Sequence, residues 1–118
     1  MQPVYLKQLI LLINDEKNLE ADLCLDLDCK LFTEDVKPLI KAINYIINYL
    51  KQLSDNKISI GLSAEKEKFL LSFVIQTSAA NAPPLSAQIE EVLEEYQAKM
   101  EQEFVPLKYA KVVLIFLK

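Results

Sequence analysis

One amphipathic segment followed by two apolar runs constrains the fold of this chain more than any other feature. In residues 35–53 the apolar side chains recur at helical spacing and form one broad stripe, made by Leu39, Ile43, Ile46, Ile47, Leu50 and Leu53. Thr33 is predicted to be the N-cap, and Pro38 suits the first helical turn. A polar break after residue 53 leads into a strand at 57–62, a charged hairpin at 64–68 and a second strand at 69–75.

The N-terminal third predicts a helix and a strand. Pro3 fits a first helical turn, and the apolar spacing after it predicts a helix to about Asn14. Residues 21–31 alternate apolar with acidic side chains, which is typical of a strand with one buried and one wet face. The three aspartates of the wet face (Asp22, Asp26 and Asp28) raise the hypothesis of a cation site. An acidic solvent face that discourages edge pairing is the simpler interpretation.

The C-terminal third predicts a long helix and a closing strand. Apolar residues at helical spacing after Ser86 extend the predicted helix to Phe104, with glutamates on its other side. Residues 109–118 predict a strand that is apolar on both faces from 112 to 117, so its second face is a potential contact patch. The whole pattern predicts one α+β domain over residues 1–118. Its architecture is a two-layer α/β sandwich, with about three helices on one face of a mixed four-stranded sheet.

Composition excludes several classes of function. A net charge of −4 without a basic stripe argues against nucleic-acid binding. The run 9–13 is too short to span a bilayer, so no membrane association is expected. Cys24 and Cys29 are five residues apart in one predicted strand, about 16 Å, so they cannot form a disulfide and indicate reduced thiols in the cytoplasm. Without histidine or a close cysteine pair, no metal or other cofactor is expected.

Residues 35–80 resemble the histidine-kinase-type (GHKL/Bergerat) ATPase domain. Asp35 matches the aspartate that opens the family pattern, and Leu39 matches the leucine four positions later. The helical stripe continues without a gap, and residues 54–60 match the small polar residue and paired isoleucines that follow the helix. A first helix before this stretch also agrees with the family. The resemblance implies the fold of these ATPase domains.

The residues that the resemblance assigns to nucleotide binding are missing. The family's two helix asparagines, the second of which holds the phosphate-bridging metal ion, fall on tyrosines, and its base-reading aspartate falls on a glutamine. The loop glycines are also replaced, and the single glycine of the chain, Gly61, lies in a strand. A one-residue shift that brings Asn48 into register would turn the apolar stripe about 100° off the core. The vestigial pocket positions are Tyr45, Asn48, Tyr49, Gln76, Ser78 and Ala80.

Tyr45 and Tyr49 lie four residues apart on one flank of the predicted helix. Both rings can be boundary residues, with the apolar body inward and the hydroxyl outward. Alternatively, they fill the space that phosphate and metal occupy in the family. The spacing alone leaves both interpretations open.

The sequence predicts a degenerate relative of these ATPase domains that has lost ATP binding. We expect a non-catalytic signalling, regulatory or protein-interaction module, with a protein partner or a second copy as its ligand and ATP unbound. We also expect that the chain is not an enzyme, because it has no histidine base and no glycine turn that exposes a nucleophile. One alternative is a remodelled nucleotide site that uses Gln76 and Asn48. Another is an unrelated small α/β structural or interaction protein.

Overall fold

The computed structural model describes residues 2–26 and 29–117. In these ranges the chain forms three helices and seven strands. The helices are α1 (Leu6–Lys17), α2 (Lys37–Leu53) and α3 (Gln88–Glu94). The strands are β1 (Gln2–Tyr5), β2 (Asp22–Leu25), β3 (Lys30–Thr33), β4 (Ile58–Ala64), β5 (Lys68–Gln76), β6 (Ala98–Val105) and β7 (Tyr109–Leu117).

The strands form two sheets. The larger has five strands in the order β2-β4-β5-β7-β6, and a separate two-stranded sheet pairs β1 with β3. β2 runs parallel to β4, and the other neighbours are antiparallel. The predicted α+β class with three helices and a mixed sheet is therefore confirmed. The prediction of four strands is corrected to five strands plus two.

The core lies between the helices and one face of the larger sheet. The register places Phe73 opposite Ile60 on one side and Val112 on the other, and all three side chains are buried. The α1 and α2 stripes complete the same core cluster. On the opposite face of the sheet, Val113 and Ile115 are half-buried, because their strand lies inside the sheet.

The central prediction of a helix and two strands is confirmed over residues 37–76, with Pro38 in the first turn of α2. Thr33 as the N-cap is wrong. The cap residue is Val36, and the Thr33 hydroxyl instead accepts a hydrogen bond from the Asp35 amide at 3.3 Å. Asp35 Oδ1 accepts one from the Lys37 amide at 3.0 Å, so a carboxylate stabilises the helix start.

The predicted helix 3–14 and strand 21–31 both have to be corrected. Pro3 lies in β1, and α1 begins only at Leu6 and ends at Lys17, because the chain before it pairs with β3. The single strand is two strands in different sheets, β2 and β3. Its unbroken alternation could not show this, because the pairing partners are distant in sequence. The predicted positions Leu27 and Asp28 lie outside the described residues.

The predicted helix from Ser86 to Phe104 is also wrong beyond its first half. α3 ends at Glu94, and Gln97 adopts a left-handed conformation with φ 55° before β6 begins. Met100 and Phe104 therefore belong to a strand that pairs with β7. Their spacing of four residues suits one face of a helix and equally one face of a strand, and the pairing with β7 decides between the two.

The predicted aspartates have other partners in the structure. Asp22 lies 3.8 Å from Lys57 Nζ, and Asp26 Oδ2 accepts a hydrogen bond from the Ala64 amide at 2.9 Å. Cys24 is exposed on β2, whereas Cys29 is buried. Within the described ranges, none of the helices has both the length and the apolar character needed to cross a bilayer.

The turn between β6 and β7 carries a strained residue. Leu107 has φ 66° at the third position of a turn that the bond from the Lys108 amide to the Val105 carbonyl closes at 3.0 Å. A positive φ at this position favours glycine, and the Leu107 side chain is 67% exposed. We therefore expect Leu107→Gly to stabilise the fold by about 0.5–1 kcal/mol in urea unfolding. Lys108→Gly is the matched control and should destabilise, since Lys108 has no positive φ.

Candidate functional site

The six predicted pocket positions lie on α2 and on the segment that leaves β5. α2 presents its apolar stripe to the core, and one flank of the helix contacts the loop formed by residues 77–87 and lines a groove with α3. We call residues 77–87 the covering loop. It stands where the resemblance places the nucleotide-binding loop, so the contacts of this loop decide what the site can hold.

Tyr49 ties the covering loop to α2. Its side chain is half-buried, and its hydroxyl donates a hydrogen bond to the Pro83 carbonyl oxygen at 2.6 Å. Burial raises the pKa of Tyr49 above the ordinary tyrosine value, and the nearby Tyr45 adds to the rise. The phenol is therefore neutral at physiological pH and remains a donor to the loop.

Tyr45 occupies a different environment one helical turn earlier. Its side chain is 41% exposed and lines a groove of about 410 Å³ between α2 and α3. Lys37 and Lys41 line the same groove and are exposed. Tyr45 therefore fits the boundary interpretation. Tyr49 differs, because its hydroxyl contacts the covering loop.

Asn48 lies between the two tyrosines in sequence but serves another contact. Its side chain is exposed, and Oδ1 accepts a hydrogen bond from Lys17 Nζ at the end of α1, at 3.1 Å. The amide is thus directed toward α1. The structure does not bring Asn48 and Tyr49 together on one ligand.

The end of β5 is fixed through its backbone. The Gln76 carbonyl accepts a hydrogen bond from Asn56 Nδ2 at 2.9 Å, and the Gln76 side chain is exposed. Ser78 and Ala80 are exposed as well. None of the three positions lines the groove that Tyr45 lines, and none is the hydrogen-bond partner of the Tyr49 hydroxyl.

Sequence reasoning missed Thr77, which anchors the covering loop. It is the one buried polar residue among those described, and its hydroxyl donates to the Leu53 carbonyl at 2.6 Å and accepts from the Ala79 amide at 3.1 Å. The Leu107 amide donates to the Ala79 carbonyl at 2.9 Å. The loop is therefore held at its start by α2 and by the β6–β7 turn. The signal available in the sequence was the threonine itself, because threonine hydroxyls form hydrogen bonds with nearby backbone groups in turns.

The site offers amide, phenol and ammonium groups rather than a metal-binding set. Across the described residues, no group of three or more histidine, cysteine, aspartate or glutamate side chains could hold a metal ion. The α2–α3 groove is lined by two cations, Lys37 and Lys41, and by one carboxylate, Asp35. Chemically, this arrangement can hold the covering loop in place and attract an anion to the groove.

Comparisons with known proteins identify the fold. No family model and no curated protein matches the chain. Solved structures do: the mycobacterial sensor histidine kinase MprB has a TM-score of 0.77 at 9% identity, covering 98% of this chain and 97% of that one. The histidine kinase domain of the E. coli osmosensor EnvZ has a TM-score of 0.78 at 7% identity, with 99% and 88% covered.

A third kinase, ThkA, matches in two forms. Its catalytic domain has a TM-score of 0.69 at 14% identity and covers 99% of this chain and 95% of its own. ThkA in complex with the response regulator protein TrrA has a TM-score of 0.62 at 17% identity, with 99% and 41% covered. The chain therefore has the fold of histidine kinase catalytic domains, as the resemblance in residues 35–80 implied.

These similarities overturn one expectation. We expected that the chain is not an enzyme, but the solved structures that share its fold are catalytic domains of histidine kinases, which are enzymes. We withdraw that expectation.

Proposed function

We propose that this chain is a signalling module that acts by binding protein, and that its own side chains close the position where related ATPase domains hold ATP. The observation that carries the proposal is the hydrogen bond from the Tyr49 hydroxyl to the Pro83 carbonyl. It supports the interpretation that Tyr49 fills the lost pocket. The proposed module comprises residues 1–118 as one domain and acts in the cytoplasm.

The chemistry of the position supports this proposal. The resemblance implies an asparagine at position 49, whose carbonyl oxygen holds the metal ion. A neutral phenol is a poor ligand for a hard cation, and this one already donates to the covering loop. The loop also lacks glycine, so its amide groups cannot approach phosphate as closely as in a glycine-rich loop.

A partner of the protein class follows from the same comparison. ThkA is a histidine kinase that has been solved with a response regulator bound. We propose that this chain also binds a protein, but we do not propose that the partner is the same. A second copy of the chain is the other occupant that the half-buried sheet face around Val113 and Ile115 would suit.

A second candidate function is a nucleotide site with new contacts. The α2–α3 groove favours it, because the two ammonium groups of Lys37 and Lys41 line the groove beside Tyr45. The two cations outnumber Asp35, the one carboxylate in the lining of the groove, so they could attract phosphates without a metal ion. This site would differ in position from the one that Gln76 and Asn48 would form.

Calorimetric titration with ATP and ADP, with and without Mg²⁺, tests the proposal. We expect no binding heat up to millimolar nucleotide for the native chain. We expect the same for Tyr49→Phe, which keeps the ring and removes only the bond to the loop. Magnesium-dependent binding that Gln76→Ala abolishes would overturn the proposal. Binding that Lys37→Ala and Lys41→Ala abolish would also overturn it and would support the second candidate.

A further inference from the structure

Among the described strands, β3 pairs only with β1, so its other edge is open. The Leu6 amide donates to the Cys29 carbonyl at 3.0 Å, so residues 6 and 29 form a hydrogen-bonded pair. Bonded and non-bonded pairs alternate in an antiparallel ladder, and the register pairs Tyr5 with Lys30 and Pro3 with Phe32. Lys30 and Phe32 therefore direct their backbone N–H and C=O groups away from β1.

All four residues of β3, including Lys30 and Phe32 with their outward backbone groups, line a groove of about 910 Å³. Residues 30–35 form one side of it, and the opposite side comes from the turn after α3 and the end of β7. Leu31, Phe69 and Tyr96 line the groove and are themselves buried, and Leu117 lines it with 49% exposure. A strand edge beside an apolar surface is the arrangement that binds an extended peptide by strand addition.

Two of the other edge strands, β1 and β6, carry features that hinder such pairing. Pro3 occupies an outward position of β1 and has no N–H to donate. β6 carries Glu101 and Glu103, which are exposed charges on an edge strand. β3 has no proline, and its outward residues include an aromatic side chain, Phe32, which is 57% exposed.

The aromatic side of the small sheet supplies contacts for alternate residues of such a peptide. Tyr5 and Phe32 lie on the same face, exposed by 43% and 57%. Lys30 Nζ lies 5.9 Å from the Tyr5 ring centre and 5.5 Å from that of Phe32. The ammonium group thus holds two rings in one exposed surface beside the open edge.

The charges of the groove are unequal at its two ends. Glu34 and Asp35 follow β3 directly, and both carboxylates are exposed. The Tyr96 hydroxyl donates to the Asp35 carbonyl at 2.7 Å, so Glu95, the residue before Tyr96, belongs to the same end. Three carboxylates therefore lie at one end and the Lys30 ammonium group at the other, which favours a ligand with cations at the carboxylate end.

We propose that an extended segment of a partner protein adds to β3 as a third strand, with Lys or Arg beside Glu34, Asp35 and Glu95. The partner segment bonds to the N–H and C=O groups of Lys30 and Phe32 and places alternate apolar side chains on Tyr5 and Phe32. The inference rests on the proposed protein-binding function but not on the closed nucleotide position. Nucleotide titration can therefore contradict the closed nucleotide position without bearing on strand addition at β3.

Labelled hexapeptides are the probes for this site. All three probes begin with alternating valine and threonine. The lysine probe ends in two lysines, and the glutamate probe ends in two glutamates. The N-methylated probe has the sequence of the lysine probe, with N-methyl groups on alternate backbone amides. We expect the lysine probe to bind roughly tenfold more tightly than the glutamate probe, and the N-methylated probe not to bind. Hydrogen exchange should slow at the Lys30 and Phe32 amides when the lysine probe is bound.

Charge reversal supplies the matched variants. Glu34→Lys with Glu95→Lys should reverse the order of the lysine and glutamate probes, whereas Glu91→Lys, on the exposed side of α3, should leave it unchanged. Equal affinity for the two probes, no binding of any probe, or protection at Val113 and Ile115 instead would overturn the proposal. Protection of Lys30 and Phe32 that grows with protein concentration alone would also overturn it, because a second copy would then occupy the edge.

Discussion

Phe73→Ala should destabilise the fold by about 3–5 kcal/mol, the largest single loss that we expect from the core. Phe73 has no exposed surface and lies in the middle of β5, between Ile60 of β4 and Val112 of β7. Its removal leaves a cavity. The helices on one side and the paired strands on both edges of β5 prevent this cavity from closing. Urea unfolding followed by circular dichroism would measure the loss.

Val74→Ala is the control for this prediction. Val74 is the next residue on β5, faces the opposite side of the sheet and is half-buried. We expect it to cost no more than about 1 kcal/mol. Equal losses for the two variants would contradict the register, because a one-residue slip exchanges the two faces of the strand.

Tyr96→Phe should cost about 1–3 kcal/mol, although it removes only one oxygen atom. The Tyr96 hydroxyl accepts a hydrogen bond from the Leu39 amide at 3.2 Å and donates to the Asp35 carbonyl at 2.7 Å. It thereby caps the start of α2, where the N-cap residue Val36 makes no side-chain hydrogen bond. Phenylalanine would leave the buried Leu39 amide without an acceptor. Tyr45→Phe is the control and should change stability little, since Tyr45 is 41% exposed.

The same hydroxyl gives a pH signature. Burial raises the pKa of Tyr96 above the ordinary tyrosine value of about 10. The folded state therefore holds this proton more tightly than the unfolded state. The stabilisation is complete below the unfolded pKa and is lost as pH rises through the folded pKa. Native protein should lose more stability than Tyr96→Phe between pH values of about 9 and 11, and identical pH profiles would contradict the cap.

The part of the fold that could be predicted is the part with local signals. The stripe from Leu39 to Leu50 is amphipathic by itself, and β4 and β5 are joined by a short charged hairpin, so neighbours in sequence determine their arrangement. β1 and β3 could not be predicted, because Pro3 fits a helix start and an edge strand equally well. β6 was mistaken for helix because its apolar spacing suits both structures until β7 pairs with it.

The candidate site also has a part that could be predicted from the sequence and a part that could not. The positions of Tyr45 and Tyr49 on one flank of α2 follow from helical spacing alone. The contact that distinguishes them, from Tyr49 to Pro83, depends on the path of a loop without periodicity, which Thr77 and the β6–β7 turn hold from outside. Tyr96 as the cap of α2 lies 61 residues from Asp35, its acceptor, and no local pattern announces such a pair.

The position of β7 inside the sheet bears on how the chain avoids aggregation. Residues 112–117 combine β-branched, aromatic and leucine side chains without a charge, which is the composition of segments that form fibrils. β5 pairs with one side of β7 over nine residue pairs, and β6 pairs with the other side over eight. β6 is the edge strand next to β7 and carries Lys99, Glu101 and Glu103, so it acts as a charged gatekeeper. Detachment of β6 alone would expose residues 112–117, the segment of the chain most prone to aggregation.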